Sequence, residues 1–248
     1  MMRNYWVQTE SEQVEWSVDL LASLDPTTLV DLLCEIARLA SIHEVASMDV
    51  AAIRIELTEA LREHQRVDCS LTRRRTPSAK CAWFTREGKL TEGDTTNLGA
   101  LLRTLEPTPG AISARYSSSW SPLSILGSTV RFANGPTKDV SSCVSFGFTT
   151  CSDIWFPFVL GIAHPSCDGK RYFDNRELAA RHTPRLNQFL AQVAELTAAA
   201  GATWSVTDGM VSPQLQPWVT ERGIRLDGPV PPLMPSELVD VPWPSLDE

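Results

Sequence analysis

The chain has 248 residues, 43% of them hydrophobic and 21% charged, with a formal net charge of −8. This is an ordinary globular balance, which excludes collagen-like, rod-like and wholly disordered classes, and at this length a core closes without disulfide or metal staples. The longest apolar stretch, 154–163, holds ten residues and includes Pro157, well short of the roughly 20 that a spanning helix needs, so no membrane partner is expected.

Glu10, Glu12 and Glu15 follow Met1 with no apolar core between them. No secretory leader is read there, and a cytoplasmic location is expected. Residues 10–64 read as helical. Asp25-Pro26 opens one helix, with Asp as N-cap and Pro at the first helical position. Leu29, Leu32, Leu33, Ile36 and Leu39 then recur at helical spacing. A second helix starts near Asp49, with Val50, Ile53, Leu57 and Leu61 on its apolar face and Glu56, Glu59 and Glu63 off it. Neither helix hides its stripe alone, so the two are expected to pair.

From Val67 the period changes to two. Val67, Cys69 and Leu71 alternate with polar residues, and 82–84 precede a turn at Arg86-Glu87-Gly88. A short helix is expected over 95–105, a strand at Ile112, Ala114 and Tyr116, and a strand at Val130 and Phe132 before the turn Asn134-Gly135-Pro136. Val144, Phe146 and Phe148 alternate with Ser145, Gly147 and Thr149, the clearest strand in the chain. Residues 154–160 read as a strand that Pro157 confines to an edge or bulge.

Asp174-Asn175-Arg176-Glu177 has the form of a capping box with Asp as cap. Thr183-Pro184 predicts a break, with a second helix restarting there, since proline lacks the N–H and its ring clashes with the preceding turn. Leu186, Phe189, Leu190, Val193 and Leu196 line the face of that helix, and Gly201 ends it. Trp204 and Val206 suggest a last strand. Residues 213–248 hold eight of the seventeen prolines, and Leu233, Leu238, Val239 and Trp243 make them too apolar for a free tail. An extended segment on the surface is expected.

The fold class that follows is α+β, an N-terminal helical layer and then a mainly antiparallel sheet with helices on one face. The segments are an acidic helical subdomain over 1–65, an α+β core over 66–212 and a Pro-rich tail over 213–248.

Charge is unevenly spread. Residues 1–64 carry twelve acids and four bases, a net of −8, whereas 65–90 carry two acids and seven bases, a net of +5. Arg73-Arg74-Arg75 with Lys80, Arg86 and Lys89 form a modest basic cluster, but the acidic total is opposite to the usual footprint of a nucleic-acid binder.

The six cysteines are scattered without a close pair, as expected of free thiols packed as small apolar residues, and no metal site is expected. HExxH, G-x-S-x-G, phosphate-loop and dinucleotide glycine patterns are all lacking, so no cofactor is expected.

The densest polar and aromatic stretch is 152–187. Asp153, His164 and Arg176 are the candidates for chemistry there, with Arg176 or Arg185 gripping an anion and Asp153 or His164 as acid or base. A turn, a cap and ordinary ion pairs explain the same residues without any chemistry. The function expected is a non-enzymatic protein-binding protein, in its most concrete form an inhibitor or immunity-type protein that neutralises a basic toxin or enzyme. Glu56, Glu59 and Glu63 would supply the docking charge, with Trp155 and Arg185 as further contacts. The alternatives are an enzyme with a dispersed site in 152–187 acting on a small anionic ligand, and a scaffold or assembly subunit.

Overall fold

The structure is a computed structural model and describes residues 14–20, 24–45, 50–63, 66–70, 80–84, 90–94, 123–131, 144–150, 155–160, 166–206 and 213–239. The expected helix over 95–105, the strand at 112–116, the turn at 134–136, Asp153 and His164 lie outside these residues, as do the side chains of Glu56, Glu59 and Glu63.

The fold is α+β. A five-stranded antiparallel sheet takes β1 (Glu15–Leu20), β2 (Arg66–Ser70), β5 (Leu123–Arg131), β6 (Val144–Thr150) and β9 (Thr203–Val206), in the order β2-β5-β6-β1-β9. β3 (Lys80–Phe84) and β4 (Leu90–Asp94) form a separate antiparallel pair around the expected turn. β7 (Phe158–Val159) pairs with β8 (Phe173–Asp174). The expected strand over 154–160 is thus reduced to two residues beyond Pro157 in the described part.

The largest departure from the sequence reading is β1. Residues 15–20 are not helical but form a strand inside the sheet, between β6 and β9. The sheet therefore draws on both sides of residue 65. The physical cause is a strict alternation. Val14, Trp16, Val18 and Leu20 are all buried, while Glu15, Ser17 and Asp19 between them are only partly so. A period of two buries one face of a strand and would scatter the same residues around a helix. Trp16 sits opposite Phe148 and Val206, and Val18 opposite Phe146 and Trp204, so one sheet face is apolar. Glu15 and Thr149 lie on the other face, joined by a 3.1 Å hydrogen bond. Apolar on one side and polar on the other is the common state of an antiparallel sheet.

Helix α1 (Pro26–Ile42) starts as expected. Asp25 accepts hydrogen bonds from the Thr27 and Thr28 amides, and Pro26 occupies the first turn. Leu29, Leu33, Ile36 and Leu39 are buried, each side chain stabilising by about 1.5–3 kcal/mol. α2 (Val50–Glu63) packs on α1 with Ile53 and Leu57 inward.

α3 (Arg176–Ala198) is one helix with Pro184 inside it, which corrects the expected break at Thr183-Pro184. Its buried stripe runs through the proline without interruption: Ala179, His182, Thr183, Leu186, Phe189, Leu190, Val193 and Thr197 are all fully buried, whereas Pro184 itself is exposed. Proline inside a helix costs about 3 kcal/mol. Burying Leu186, Phe189, Leu190 and Val193 outweighs that several-fold. Phe189 meets Phe148 edge-on at 5.4 Å, which seats α3 on the apolar face of the sheet. Gly201, at φ 68°, follows the helix end.

Residues 213–239 lie against this core. Leu215, Trp218, Ile224 and Met234 are buried, and the Trp16 indole N–H donates to the Thr220 carbonyl at 3.0 Å. The segment is more regular than its prolines imply. It contains a two-stranded hairpin of β10 (Val219–Thr220) and β11 (Gly223–Ile224), then a short helix α4 (Ser236–Val239). Among the described residues, no helix is long and apolar enough to cross a membrane.

Candidate functional site

The N-terminus of α3 places Asp174 and Arg176 together. Asp174 Oδ1 accepts from the Arg176 amide at 3.1 Å and from Nε at 2.9 Å, while Oδ2 accepts from Nη2 at 2.6 Å. The N-cap of α3 is Asn175, which makes no side-chain cap hydrogen bond, so the expected capping box with Asp174 as cap is not formed; Asp174 lies one residue outside and holds Arg176 in a two-pronged ion pair. The hydrogen bonds from the Arg176 side chain hold the Asp174 carboxyl below its ordinary range, and burial opposes them. The same guanidinium lies 5.4 Å from the centre of the Phe158 ring. Asn175 is wholly buried, with its side-chain amide donating to the Phe156 carbonyl. An anion reaching Arg176 would have to compete with Asp174.

Two turns further along α3 is a second polar group. Arg185 Nη1 donates to Glu44 Oε2 at 3.3 Å, and Nη2 donates to His182 Nδ1. His182 is wholly buried and meets Trp155 edge-on at 6.3 Å. Burial lowers the Arg185 guanidinium to about 10, and Glu44 works against that shift. Nearby, His43 Nε2 contacts Gln192 Oε1 at 3.0 Å and its ring meets Phe189.

Glu44 is the residue that sequence reasoning missed. Helix α1 ends with the Val45 amide donating to Ala40 and the Glu44 amide to Ser41. Those two bonds are a Schellman closure, which places residue 44 in the left-handed region where glycine is usual. Glu44 has φ 51°. Its side chain crosses from α1 to Arg185 on α3, 141 positions away. No local pattern announces such a pair.

Of the residues read as candidates, Trp155 is wholly buried rather than at the surface, because it packs against α3, its ring edge-on to His182 and its carbonyl accepting from the Thr183 hydroxyl. Arg176 and Arg185 are not brought together. Nine residues of helix separate them by about 13 Å, and they point to Asp174 and Glu44 respectively. In the loop before β8, Asp168 accepts from the Arg171 and Lys170 amides and from Arg171 Nε, in that order of effect, which holds its carboxyl far below the usual range and closes a turn with Gly169 at φ 68°.

On the helical pair, Asp31 holds Arg54 at 2.6 Å and Glu35 holds Arg38. These α1 acids are therefore already matched by arginines of the chain. Ile55 on α2 is 60% exposed. Cys34 and Cys167 are free thiols; burial raises that of Cys34. Among the described residues, no three His, Cys, Asp or Glu side chains are grouped to hold a metal ion. No protein-family model, no curated protein and no solved structure matches the chain.

Proposed function

We propose that the protein is a non-catalytic binding protein that docks a basic protein partner on the outer side of α2. The observation that carries this is the exposure of Ile55 on a helix whose inner side is taken by Ile53 and Leu57. Residue 59 follows Ile55 by four positions, so the two backbone positions share one side of α2. Glu56, Glu59 and Glu63 give that helix the charge. Against these stand Arg54 and Arg62, so the helix stays net acidic by one, and an apolar residue beside acidic positions suits a rim-and-anchor contact, in which the charge speeds encounter and the apolar group holds. In its most concrete form the partner is a basic toxin or enzyme that the chain neutralises. The pairing of Arg176 with Asp174 and of Arg185 with Glu44 supports the same side of the choice, since neither guanidinium is set apart to grip an anion.

The test uses the full chain and a Glu56→Lys, Glu59→Lys, Glu63→Lys variant as paired baits in cells of the native source. The reading requires a basic protein that the parent chain recovers, with an association rate that falls as salt is added. The variant should bind more slowly and with a shallower salt slope. Equal on-rates and slopes for the two chains, or recovery of no basic protein, would overturn it.

A further inference from the structure

Residues 228–235 read Gly-Pro-Val-Pro-Pro-Leu-Met-Pro. Each proline fixes its own φ near −65° and drives the residue before it to extended angles, which together favour the polyproline II helix. That helix has three residues per turn, and the burial of the segment follows the same period. Gly228 and Pro231 are half-buried and Met234 is buried, while Pro229, Val230, Pro232 and Leu233 are exposed. One edge in three faces the core and the other two face solvent.

The inward edge is tied down. The Tyr172 amide donates to the Pro232 carbonyl at 2.9 Å, and the Met234 amide donates back to the Tyr172 carbonyl at 2.8 Å. Gly228 lies so close to Trp218 that a Cβ there would fall 2.4 Å from the indole ring. Tyr172 and Trp218 are themselves in edge contact at 5.9 Å. The segment is therefore held as a ridge on an aromatic pair.

What the ridge shows to solvent is ordered. Pro229 and Pro232 form one outer edge, and Val230 and Leu233 form the next. Val230 is 62% exposed. Leu226, Val230 and Leu233 are three of the five exposed large hydrophobics among the described residues, all within eight positions. That concentration is unlike the scattered single apolar groups of an ordinary surface.

We propose that this ridge is a preformed polyproline II ligand, and that its partner is a protein domain with an aromatic-lined groove that reads such helices. Grooves of this kind take proline-containing pairs repeated at three-residue spacing. Pro229-Val230 and Pro232-Leu233 repeat at that spacing. A ridge already fixed by Tyr172 gives up little conformational freedom when it docks. The surface is distinct from the glutamate side of α2 and depends on none of those residues.

The experiment titrates the full chain, by calorimetry, against purified SH3, WW and EVH1 domains. Saturable binding to at least one of them is expected. Val230→Asp and Pro232→Ala, both at exposed positions, should each weaken it by about tenfold or more, while the triple lysine variant of α2 leaves it unchanged. Thermal melts confirm that the variants fold. Absence of binding to all three domain classes overturns the proposal, as does binding that survives both ridge substitutions. Neither outcome bears on the α2 face, which is tested by its own variant.

Discussion

The hydroxyl of Thr183 donates to the carbonyl oxygen of Trp155 at 2.7 Å, and both residues are wholly buried. This bond ties α3 to the segment leading into β7 one residue before Pro184, where the helix lacks an N–H. The proline is carried by packing around it, not by its own preference. Pro184→Ala is therefore expected to stabilise the fold, by at most about 3 kcal/mol and less after the freer unfolded chain is counted. Thr183→Val keeps the shape and loses the hydroxyl, which should cost about 1–3 kcal/mol. Urea unfolding measures both. A lower midpoint for Pro184→Ala, or an unchanged one for Thr183→Val, would contradict the reading.

Asn187 clasps the turn of the C-terminal hairpin. Its Oδ1 accepts from the Ile224 amide at 2.9 Å and its Nδ2 donates to the Ile224 carbonyl at 2.8 Å. Gly223 makes room for this, since a Cβ there would lie 2.3 Å from Asn187 Oδ1, and its φ of 143° is a region that side chains rarely adopt. Gly223→Ala should displace Asn187 and strain the backbone, destabilising by about 1–3 kcal/mol. Hydrogen exchange at the Ile224 amide should rise in parallel. Protection equal to that of the parent chain would show that the clasp is dispensable.

Glu44 trades backbone comfort for a partner. Glycine at position 44 would relieve about 1–2 kcal/mol of left-handed strain. It would also leave the half-buried Arg185 without its carboxylate, a charge-assisted bond of about 1.5–3 kcal/mol. Glu44→Gly is thus expected to be destabilising by about 1 kcal/mol, the difference of the two. In an Arg185→Met background the same change should become stabilising, because only the strain term is left. A double-mutant cycle reads the coupling directly, and additive effects would refute it.

Asp174 gives the stability an acid limb. Arg176 lowers the folded carboxyl below its unfolded value, so the gain is fully present above the unfolded value near 4. It is lost as pH falls through the lower folded value. Asp174→Asn should remove up to about 1 kcal/mol at neutral pH, given how exposed Arg176 is. It should also flatten the fall in stability below about pH 4. Parallel acid limbs for the parent and the variant would exclude this pair as a contributor.

Parts of the fold are local decisions and were legible in the sequence. Asp25-Pro26 caps α1 through its own next turn, and no other part of the chain is needed for that. The alternation of Val144, Phe146 and Phe148 needs only a sheet to lie in, and the face of Leu186, Phe189, Leu190 and Val193 needs only something apolar to lie on. The candidate site was less legible. Arg176 beside Asp174 is a near-neighbour pair, but Glu44 with Arg185 joins the end of α1 to the middle of α3, far apart in sequence, and Trp155 was read as a contact although it is core.

What the sequence determined by itself is the content of the chain: α+β, a helix started at Asp25, a strand at 144–150, an acidic first quarter and a tail too apolar to be free. What only the tertiary structure decided is where those pieces compete. Residues 15–20 carry charges that suit a helix surface, and β6 and β9 on either side make them a strand, because pairing both edges buries Trp16 and Val18 completely. Pro184 ought to end a helix on local grounds, and the stripe beneath it keeps the helix whole. Residues 228–235 are extended by their prolines in any setting, but which edge of that extended chain meets solvent is set by Tyr172 and Trp218. Local preferences are worth from a few tenths of a kcal/mol for most residues to about 3 kcal/mol for proline. Burial summed over several side chains is larger, so packing prevails wherever the two disagree.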